Sequence, residues 1–451
     1  MNNLDLNPVT EKTSAQNKIF YISVKAKFLI ALTLSILWTL FSFYVSRYWI
    51  SDLAGVTNIF ISIFIITGIA YVPGFINTFL VASILLDKQP EFKDNNPQNE
   101  ITILIAAYNE ESGIYDTLSK IKQQDYAGII NTIVINNNSS DNTVNEVYRA
   151  AKELNLKNIK CIDEPNPGKF NALNTGLNLT NTKYVITLDA DTLLHSKAIR
   201  HLVSRINSAP SDISAVAGSV LVRNSRDNLL AKIQEWDYFL SIMSIKRMQG
   251  LFQGTLVAQG AFSIYKTEIV KSLGGWSDAI GEDIVLTWQM LMQNKRVYFE
   301  PLAISFTDVP TKFSHFYKQR SRWARGMIEG LRVVKPWQQP NIFLKFLTGI
   351  DLLIPYMDLS YTLFFIPGLI LALFGKFYIV GPFLILVFPI TLLTFIIFYF
   401  KQKTFFTMLD LKVRKNKLGF IIFIVFYQMI MSPISLIGYT QEIFRTKRVW
   451  K

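Results

Sequence analysis

The sequence contains almost no cysteine and lacks the common phosphate-binding patterns. Cys161 is the single cysteine among 451 residues, which excludes an intrachain disulfide and agrees with a reducing, cytoplasmic setting for the polar part of the chain. Neither a Walker A pattern nor Gly-x-Gly-x-x-Gly follows the first predicted strand, Ile101–Ala107. A P-loop NTPase and a dinucleotide-dependent oxidoreductase are therefore both disfavoured, because each class lacks its main sequence signal.

A secretion signal is also missing from the start of the chain. Met1 to Gln16 is polar and contains no apolar run followed by a small-residue cleavage site. We therefore expect residues 1–17 to be disordered, and we expect no cleaved signal peptide.

Apolar and basic residues, in contrast, are abundant. The chain is 50% hydrophobic and 14% aromatic with a mean hydropathy of +0.26, which indicates a membrane protein with a sizeable polar domain. The net charge of +13 is spread over loops beside apolar runs, as is typical of cytoplasmic loops facing anionic lipid. Anionic substrates such as nucleotide phosphates are the second interpretation. No basic-aromatic stripe marks the polar domain, so we expect no nucleic-acid partner.

Two apolar runs precede the polar region. Phe28–Ser46 is uncharged and long enough to span a bilayer, and a second, longer run is broken by a Pro-Gly pair at 73–74. Lysines flank the first run on its N-terminal side, so the positive-inside rule places the N-terminus in the cytoplasm. We therefore predict a multi-pass protein of the plasma (inner) membrane, with two transmembrane helices in residues 18–87 and a cytoplasmic domain in residues 88–341.

Further apolar runs follow the polar region. We interpret residues 342–358 as an interfacial helix and residues 359–441 as about three spans, with a basic cytoplasmic loop at 401–417. The last span would leave the basic tail, 442–451, outside the cell, against the positive-inside rule, unless Pro433 marks a re-entrant segment. The three predicted spans are Leu359–Gly375, Phe377–Phe400 and Leu418–Gln441.

The polar region alternates apolar runs of strand length with helical patterns, which is typical of a mostly parallel α/β sheet. The predicted strands are Ile101–Ala107, Ile129–Ile135, Ile159–Ile162, Tyr184–Leu188, Ala215–Val220 and Leu256–Ile264. In such sheets ligands bind beyond the carboxyl ends of the strands. Three of these ends are followed by polar clusters: Tyr108 to Glu110, Asn136 to Asp141, and Asp189 with Asp191. The sequence therefore predicts one site along this edge.

Two motifs near the fourth strand carry charged groups. Asp189-Ala190-Asp191 places two carboxylates on one side of an extended chain, which suits Mg²⁺ or Mn²⁺ with substrate phosphates. Alternatively, Asp191 caps the following helix. Lys169 follows Asn166-Pro167-Gly168 at a helix start, where it could reach a phosphate or a base, although a plain turn explains the same pattern.

Two further motifs lie later in the domain. Gly281-Glu282-Asp283 opens a helix, and a carboxylate there could act as a general base, although an acidic first turn is also common. We expect Glu282 to be the more solvated of the two acids. Gln319-Arg320-Ser321-Arg322-Trp323 lies in a predicted helix, His315 to Arg332. Its guanidinium groups suit a diphosphate and its indole suits a sugar or base, whereas a basic amphipathic helix on a membrane would look the same.

Together these motifs resemble those of the processive family-2 glycosyltransferases, which include cellulose, chitin and hyaluronan synthases. The resemblance is greatest to the bacterial poly-N-acetylglucosamine synthases and extends from about Ile101 to Arg332. The motifs occur in the family's order: Ala107-Tyr108-Asn109-Glu110, the Asn137-Asn138-Ser139 turn, Gly168-Lys169, Asp189-Ala190-Asp191, Gly260-Ala261, Gly281-Glu282-Asp283 and Gln319-x-x-Arg322-Trp323.

The resemblance implies a GT-A fold, a Rossmann-like, mostly parallel α/β domain, inserted between N- and C-terminal transmembrane helices and using a UDP-sugar. Tyr108, Glu110 and Asn137 would line the uridine site, and Lys169 would approach the uracil or the diphosphate. The family commonly has Asp where this chain has Asn137, which leaves the nucleotide preference open. A membrane transporter or signalling protein with a degenerate nucleotide domain is therefore an alternative.

The resemblance also implies roles around the reacting sugar. Asp189 and Asp191 would handle the diphosphate and its Mg²⁺ or Mn²⁺, with Asp191 the principal ligand. Asp283 would deprotonate the acceptor hydroxyl. The remaining roles are leaving-group binding by Gln319 and Arg322, and acceptor binding by Trp323 and Glu282.

The implied reaction is inverting: an α-linked donor yields a β-linked polymer, with N-acetylglucosamine as the expected sugar and export through the membrane helices. This is exopolysaccharide synthesis of the biofilm type. Only about ten residues follow the last predicted span, so we expect no appended cyclic-dinucleotide domain. Regulation would then come from the membrane or from a partner, such as a small accessory membrane subunit. A non-processive transferase that moves one sugar onto a lipid carrier is the other alternative.

Overall fold

A computed structural model describes residues 22–381 and 384–446. The predicted disordered segment, 1–17, and the end of the tail, 447–451, lie outside the described residues. Within them, strands form one sheet and are, in chain order, β1 Ile101–Ala107, β2 Ile130–Asn136, β3 Ile159–Asp163, β4 Tyr184–Leu188, β5 Leu193–Leu194, β6 Ile213–Val222, β7 Phe262–Lys266 and β8 Arg296–Thr307.

The α-helices belong to two groups, those that flank the sheet and those that lie before and after it. The first group comprises α5 Ile114–Lys122, α6 Thr143–Glu153, α7 Lys169–Asn178, α8 Ala198–Ser208, α9 Leu229–Trp236, α10 Met243–Leu251, α11 Thr267–Ser272, α12 Glu282–Met292 and α13 Phe313–Val333. The second comprises α1 Val24–Val45, α2 Arg47–Val56, α3 Ile59–Ile66, α4 Val72–Leu86, α14 Ile342–Ser360, α15 Ile366–Leu373, α16 Leu384–Met408 and α17 Lys417–Ile443.

The sheet has the order β3-β2-β1-β4-β7-β6-β8-β5. β1 pairs in parallel with both β2 and β4, and β2 pairs in parallel with β3, whereas β7 runs antiparallel to β4 and β6. The carboxyl ends of β1, β2 and β4 therefore meet at one edge, where ligands bind in sheets of this type. Apolar clusters cover both faces of the sheet, which explains the uninterrupted apolar runs of these strands.

Three strands differ from the prediction, and the shortest of them, β5 at Leu193–Leu194, was not predicted. The predicted strand Leu256–Ile264 is wrong for residues 256–261, because pairing begins only at Phe262, in β7. The whole of β8 was not predicted, since Glu300 and Pro301 in its middle disfavour a strand. Glu300 is tolerated there because its buried carboxylate pairs with Arg205 at 2.5 Å.

Four helices in the described residues are long and apolar enough to cross a membrane: Val24–Val45, Ile59–Leu86, Ile342–Leu373 and Lys417–Ile443. The second and third each contain a π-helical turn, at Thr67–Tyr71 and Tyr361–Phe365. Each turn comes just before a Pro-Gly pair, whose proline cannot donate the regular helical hydrogen bond. The helix is continuous across residue 358, where the sequence predicted a boundary between an interfacial helix and a span.

The last helix, α17, contacts the α/β domain near both of its ends. Close to its start, the Asn416 amide donates to the backbone oxygen of Lys232 at 2.7 Å. Close to its end, the Glu442 carboxylate accepts hydrogen bonds from Arg325 at 3.2 Å and Arg332 at 3.0 Å. Thus α17 has the length and composition of a span, but residues flanking its two ends are attached to the same domain.

Candidate active site

The Asp-Ala-Asp loop follows β4 and is held by its neighbours. The Thr117 hydroxyl donates to the backbone oxygen of Ala190 at 2.7 Å, and Asp191 Oδ1 accepts from the Thr192 and Thr307 hydroxyls at 3.3 Å each. These contacts tie the loop to α5 on one side and to the end of β8 on the other. The loop is therefore fixed at the sheet edge that the strand ends predict.

Lys169, at the start of α7, joins two acidic motifs that are far apart in sequence. Its Nζ lies 2.5 Å from Asp189 Oδ1 and 4.0 Å from Glu282 Oε1. Burial by itself would lower the pKa of Lys169, but Asp189 and Glu282 more than compensate, and the net shift is upward. Lys169 is therefore a permanent positive charge between the β4 end and the α12 start. A plain turn at Lys169 does not account for this position.

Carboxylates crowd the β4 end and perturb one another. Burial and the neighbouring Asp189 raise the pKa of Asp191 to about 6, and burial together with Asp191 and Asp189 raises the pKa of Glu110 to about 7. A divalent cation would relieve this repulsion, so the donor set fits Mg²⁺ or Mn²⁺. No group of three or more His, Cys, Asp or Glu in the described residues forms a metal cage. Asp189 and Asp191 would thus hold a cation together with substrate phosphates.

The acids at the start of α12 have different surroundings. Asp283 Oδ2 accepts a hydrogen bond from the backbone N–H of Gly260 at 3.2 Å, and its Oδ1 accepts one from Ile284 at 2.9 Å. Glu282 is only 6% exposed, so the expectation that it is the more solvated acid is wrong. Burial, followed by the charge of Asp283, raises the pKa of Glu282 to about 7. Asp283 is the more accessible acid and is oriented by backbone groups, as a general base requires.

A second helix holds the loop that leads to these acids. Glu329 on α13 accepts hydrogen bonds through Oε2 from the backbone N–H groups of Ile280 at 2.6 Å and Gly281 at 3.1 Å. Gly281 and Gly326 bring the two backbones together, because a Cβ on Gly281 would lie 2.8 Å from the Gly326 Cα. The sequence prediction missed Glu329. The glycines that flank it on α13, at 326 and 330, were the available signal for close packing.

Lys246 on α10 is a further charged residue near Asp283 that the sequence prediction missed. Its Nζ donates to the backbone oxygen of Val257 at 2.7 Å. Burial lowers the pKa of Lys246 to about 8, and the negative charge of Asp283 opposes part of that shift. Neither the position nor the shift could be read from the sequence, because Lys246 lies within a helix that has no recognisable motif.

The side chain of Asn137, directly after β2, forms its hydrogen bonds with other parts of the protein. Its amide nitrogen donates to the backbone oxygens of Glu164 at 3.0 Å and Asn166 at 2.7 Å, and its Oδ1 accepts from the Gly168 N–H at 2.8 Å. The side chain is 6% exposed. The amide thus fixes the loop that precedes Lys169, and both of its N–H groups are already used. The resemblance-based role of Asn137 in reading a uracil is not supported by this geometry.

The end of β1 is joined to the turn after β2. Asn109 has a positive φ of 56°, its side-chain oxygen accepts from the Ser140 N–H at 2.8 Å, and the Glu110 N–H donates to the Thr143 hydroxyl at 2.8 Å. Tyr108 is 45% exposed at the same edge. Tyr108 and Glu110 therefore lie where the sequence placed them, at the carboxyl edge of the sheet.

The Gln-x-x-Arg-Trp motif lies on α13, whose observed extent agrees with the predicted helix. Arg322 and Trp323 are exposed and Gln319 is half-buried, whereas Arg320 is buried with 2% exposure. The two guanidinium groups of the motif therefore have different environments. Only Arg322 is available to an external anion, and Arg320 faces the interior.

Comparison with known proteins places the chain among glycosyltransferases. Residues 97–326 match the family described as "Glycosyltransferase like family 2". A poly-beta-1,6-N-acetyl-D-glucosamine synthase of Staphylococcus aureus strain COL is 35% identical over 282 residues, which are 61% of this chain and 67% of that protein. The enzyme of the same name from Staphylococcus epidermidis is 34% identical over 270 residues, 59% of this chain and 63% of that protein.

One solved structure matches the fold over most of this chain. It is a mannosyltransferase from Pyrobaculum calidifontis in complex with GDP-Man and Mn²⁺, with a TM-score of 0.56. The match covers 94% of this chain and 100% of that chain at 17% sequence identity, so it bears on the fold alone. The expected α/β sheet with apolar helices on both sides of it in the sequence is thereby confirmed as a GT-A fold.

Proposed function

The chain belongs to the family-2 glycosyltransferases and is a hexosyltransferase with membrane helices, and we propose that it polymerises N-acetylglucosamine from a UDP-sugar into a β-linked polysaccharide and exports the chain. The observation that carries this proposal is the junction at Lys169, whose Nζ is 2.5 Å from Asp189 and 4.0 Å from Glu282. With a sugar donor bound at the β4 end, this junction would bring its leaving-group side next to the acid pair of α12. A binding-only domain would not require a base at this position.

The reaction is an inverting displacement at the anomeric carbon. The acceptor hydroxyl attacks C1 of the sugar as the bond from C1 to the phosphate oxygen breaks, and the bonding electrons leave with UDP. Asp283 takes the hydroxyl proton, since its two oxygens are already oriented by the Gly260 and Ile284 N–H groups. Lys169, Gln319 and Arg322 bind the departing diphosphate, whose developing charge they stabilise.

A divalent cation, Mg²⁺ or Mn²⁺, held by Asp189 and Asp191 would neutralise charge on the diphosphate. Support comes from the carboxylates at the β4 end, where burial and then the charge of Asp189 raise the pKa of Asp191 to about 6. The Mn²⁺ in the mannosyltransferase of the same fold is consistent with this choice. At the acceptor end, Trp323 offers its exposed indole as a platform for the growing chain.

The choice of sugar and of location rests on different observations. N-acetylglucosamine is supported by the two staphylococcal relatives, whose names state that product. A cytoplasmic active site is supported by the positive-inside rule, and the apolar helices that flank the domain supply the bilayer contact and a route for export. A small accessory membrane subunit is the further partner that the resemblance suggests.

The test is UDP release by the full-length chain in detergent. UDP-GlcNAc, UDP-glucose and UDP-glucuronate are supplied separately with Mg²⁺ or Mn²⁺, and the product is digested with a specific glycosidase. Release with UDP-GlcNAc and a digestible polymer supports the proposal, whereas a sugar-phospholipid product would indicate single-sugar transfer to a lipid carrier. No release with any donor, even with a partner subunit co-expressed, would overturn it.

The base is tested with one variant and a matched control. Asp283→Asn keeps the size of the side chain but removes the proton acceptor, so we expect turnover to fall by at least about 10²-fold while UDP still binds. Glu268→Gln, an exposed acid in the first turn of α11, should retain full activity. Wild-type polymer yield from Asp283→Asn would remove Asp283 from the role of base.

A further inference from the structure

Arg320 is a charged residue that the proposed reaction does not use. It is 2% exposed, although Arg322 and Trp323 beside it face solvent. We infer that Arg320 is a positioning residue that fixes the Trp323 indole, and that Asp237 and Tyr427 in turn hold Arg320. This inference rests on the proposed function, in which Trp323 carries the acceptor.

Three chain segments meet at the Arg320 guanidinium. Its Nη2 lies 3.1 Å from Asp237 Oδ2, in the π-helical turn between α9 and α10. The same carboxylate oxygen accepts a hydrogen bond from the Tyr427 hydroxyl of α17 at 2.5 Å. Asp237 is itself buried, so the carboxylate has one charged partner and one hydroxyl donor in a low-dielectric setting. Arg320 is thus held at its charged end by an ion pair with Asp237, outside α13, although its Nη2 and Nε lack hydrogen-bond geometry.

The Arg320 guanidinium lies over three aromatic rings. Its central carbon lies 4.2 Å from the ring centroid of Trp323, 5.2 Å from that of Phe316 and 5.6 Å from that of Tyr238. The Tyr238 ring is also 6.2 Å from the Trp323 ring. A half-exposed indole on a helix surface would otherwise sample several rotamers. Stacking on a fixed guanidinium restricts it to one orientation without covering its outer face.

Stability alone is a poor reason for this arrangement. A buried ion pair contributes little more than apolar residues of the same volume, because both charges lose their hydration. An apolar residue at position 320 would pack against Phe316 and Tyr238 but would not be anchored to Asp237. The anchored cation therefore gives orientation that an apolar residue would not provide. It also makes α17, through Tyr427, a contributor to the acceptor platform.

The kinetic test separates effects on acceptor binding from effects on donor binding. The full-length chain is assayed with UDP-GlcNAc and an N-acetylglucosamine oligosaccharide as acceptor, and KM is measured for each. Tyr427→Phe removes only the hydroxyl that holds Asp237, and Arg320→Lys keeps the charge but loses the planar stack. We expect acceptor KM to rise about threefold in Tyr427→Phe and about tenfold or more in Arg320→Lys, with donor KM within about twofold.

Tyr439, on the same helix as Tyr427, α17, provides a matched control. The Tyr439 hydroxyl donates to Asp358 at 2.8 Å, an equivalent bond that does not involve Arg320. Tyr439→Phe should therefore leave acceptor KM within about twofold of the parent. If Tyr427→Phe behaves like Tyr439→Phe, or if donor and acceptor KM change equally in Arg320→Lys, the positioning role is refuted.

A second readout does not depend on activity. The fluorescence of Trp323 is isolated as the difference between each chain and its Trp323→Phe counterpart, and its quenching by acrylamide is measured. We expect quenching to increase about twofold in Arg320→Lys and Tyr427→Phe, but not in Tyr439→Phe, because the indole is released from its stacked position. If the unmodified chain released no UDP, the proposed function would fall, while unchanged quenching in the variants would refute the stacking itself.

Discussion

Two loops lead into the active site, and opposite chemistry holds each of them. The loop before Lys169 presents backbone oxygens, and the Asn137 amide donates to two of them. The loop before Glu282 presents backbone N–H groups, and the Glu329 carboxylate accepts from two of them. In each case one buried side chain satisfies adjacent backbone groups that no strand or helix pairs. An amide suits a loop that presents backbone oxygens, because it can donate, and a carboxylate suits a loop that presents backbone N–H groups, because it can accept.

Of the changes to these two loops, removing the Glu329 carboxylate should have the largest effect on activity. Glu329→Ala leaves the Ile280 N–H and the buried Gly281 N–H without their acceptor and releases the loop that carries Asp283. Charge-assisted hydrogen bonds are worth about 1.5–3 kcal/mol each, so we expect kcat to fall by about 10- to 100-fold. UDP release under saturating donor is the measurement. Glu329→Gln keeps an acceptor oxygen and should recover part of the loss, and equal defects in the two variants would contradict the bracing role.

Changing the Asn137 amide into an acid should affect the stability of the protein more than its catalytic activity. Asn137→Asp directs a carboxylate at two backbone oxygens, and each oxygen left without its donor costs about 1–3 kcal/mol. We expect a lower melting temperature at neutral pH, partly restored at acidic pH, where a protonated Asp can donate once. Asn138→Asp is the control, since Asp tolerates the positive φ of 63° found there. A normal melting temperature for Asn137→Asp would show that the loop has another support.

The two loops also differ in how much of the site could be predicted. The strand ends, Lys169, Asp189 and Asp283 could be located because parallel sheets collect ligands at one edge and the motifs follow directly in sequence. Glu329 could not be located, because its partners at 280 and 281 are reached only through the packing of α13 on α12. Asn137 was located, but its partners were not, since the path of the 164–168 loop is set by tertiary contacts. The burial of Glu282 was missed for the same reason.

Two acids of the candidate site with raised pKa values predict how stability depends on pH. The pKa of Glu110 and that of Glu282 are both raised to about 7, so the folded protein keeps protons that the unfolded chain loses above pH 4.5. The free energy of unfolding should therefore fall as pH rises from about 5 to 7. Melting temperatures measured without added metal across that range should decrease by several degrees. Glu282→Gln should flatten the slope, and an unchanged slope would mean that Glu282 keeps its ordinary pKa.

The smallest functional effect is expected at the far side of α13, where Arg325 and Arg332 bind Glu442. That contact ties the end of α17 to the α/β domain, and Asn416 ties its other end to the same domain, so we propose that α17 does not cross the bilayer. In a Cys161→Ser chain, Phe444→Cys should retain activity and react with a membrane-impermeant thiol reagent only from the side of the domain.

The control for this labelling is Phe374→Cys, at the end of α15. The two phenylalanines are similarly exposed, at 79% for Phe444 and 77% for Phe374. Phe374→Cys should react only from the opposite side of the membrane, because the helix that starts at Ile342 is long and apolar enough to span it. Labelling of Phe444→Cys from that same opposite side would show that α17 crosses the bilayer and that its contact with α13 is broken there.

One consequence of α13 concerns chain length rather than chemistry. In the proposed mechanism, Gln319, Arg322 and Trp323 act from its first half and Glu329 from its second. A single helix would therefore fix the distance between the leaving group, the acceptor and the loop that carries the base. One residue inserted between Trp323 and Glu329 would turn the two halves by about 100° and shift them by about 1.5 Å relative to each other. Side chains on this rod can be exchanged one at a time, but the number of residues between them cannot. The spacing of residues along α13 thus sets the distances within the proposed active site.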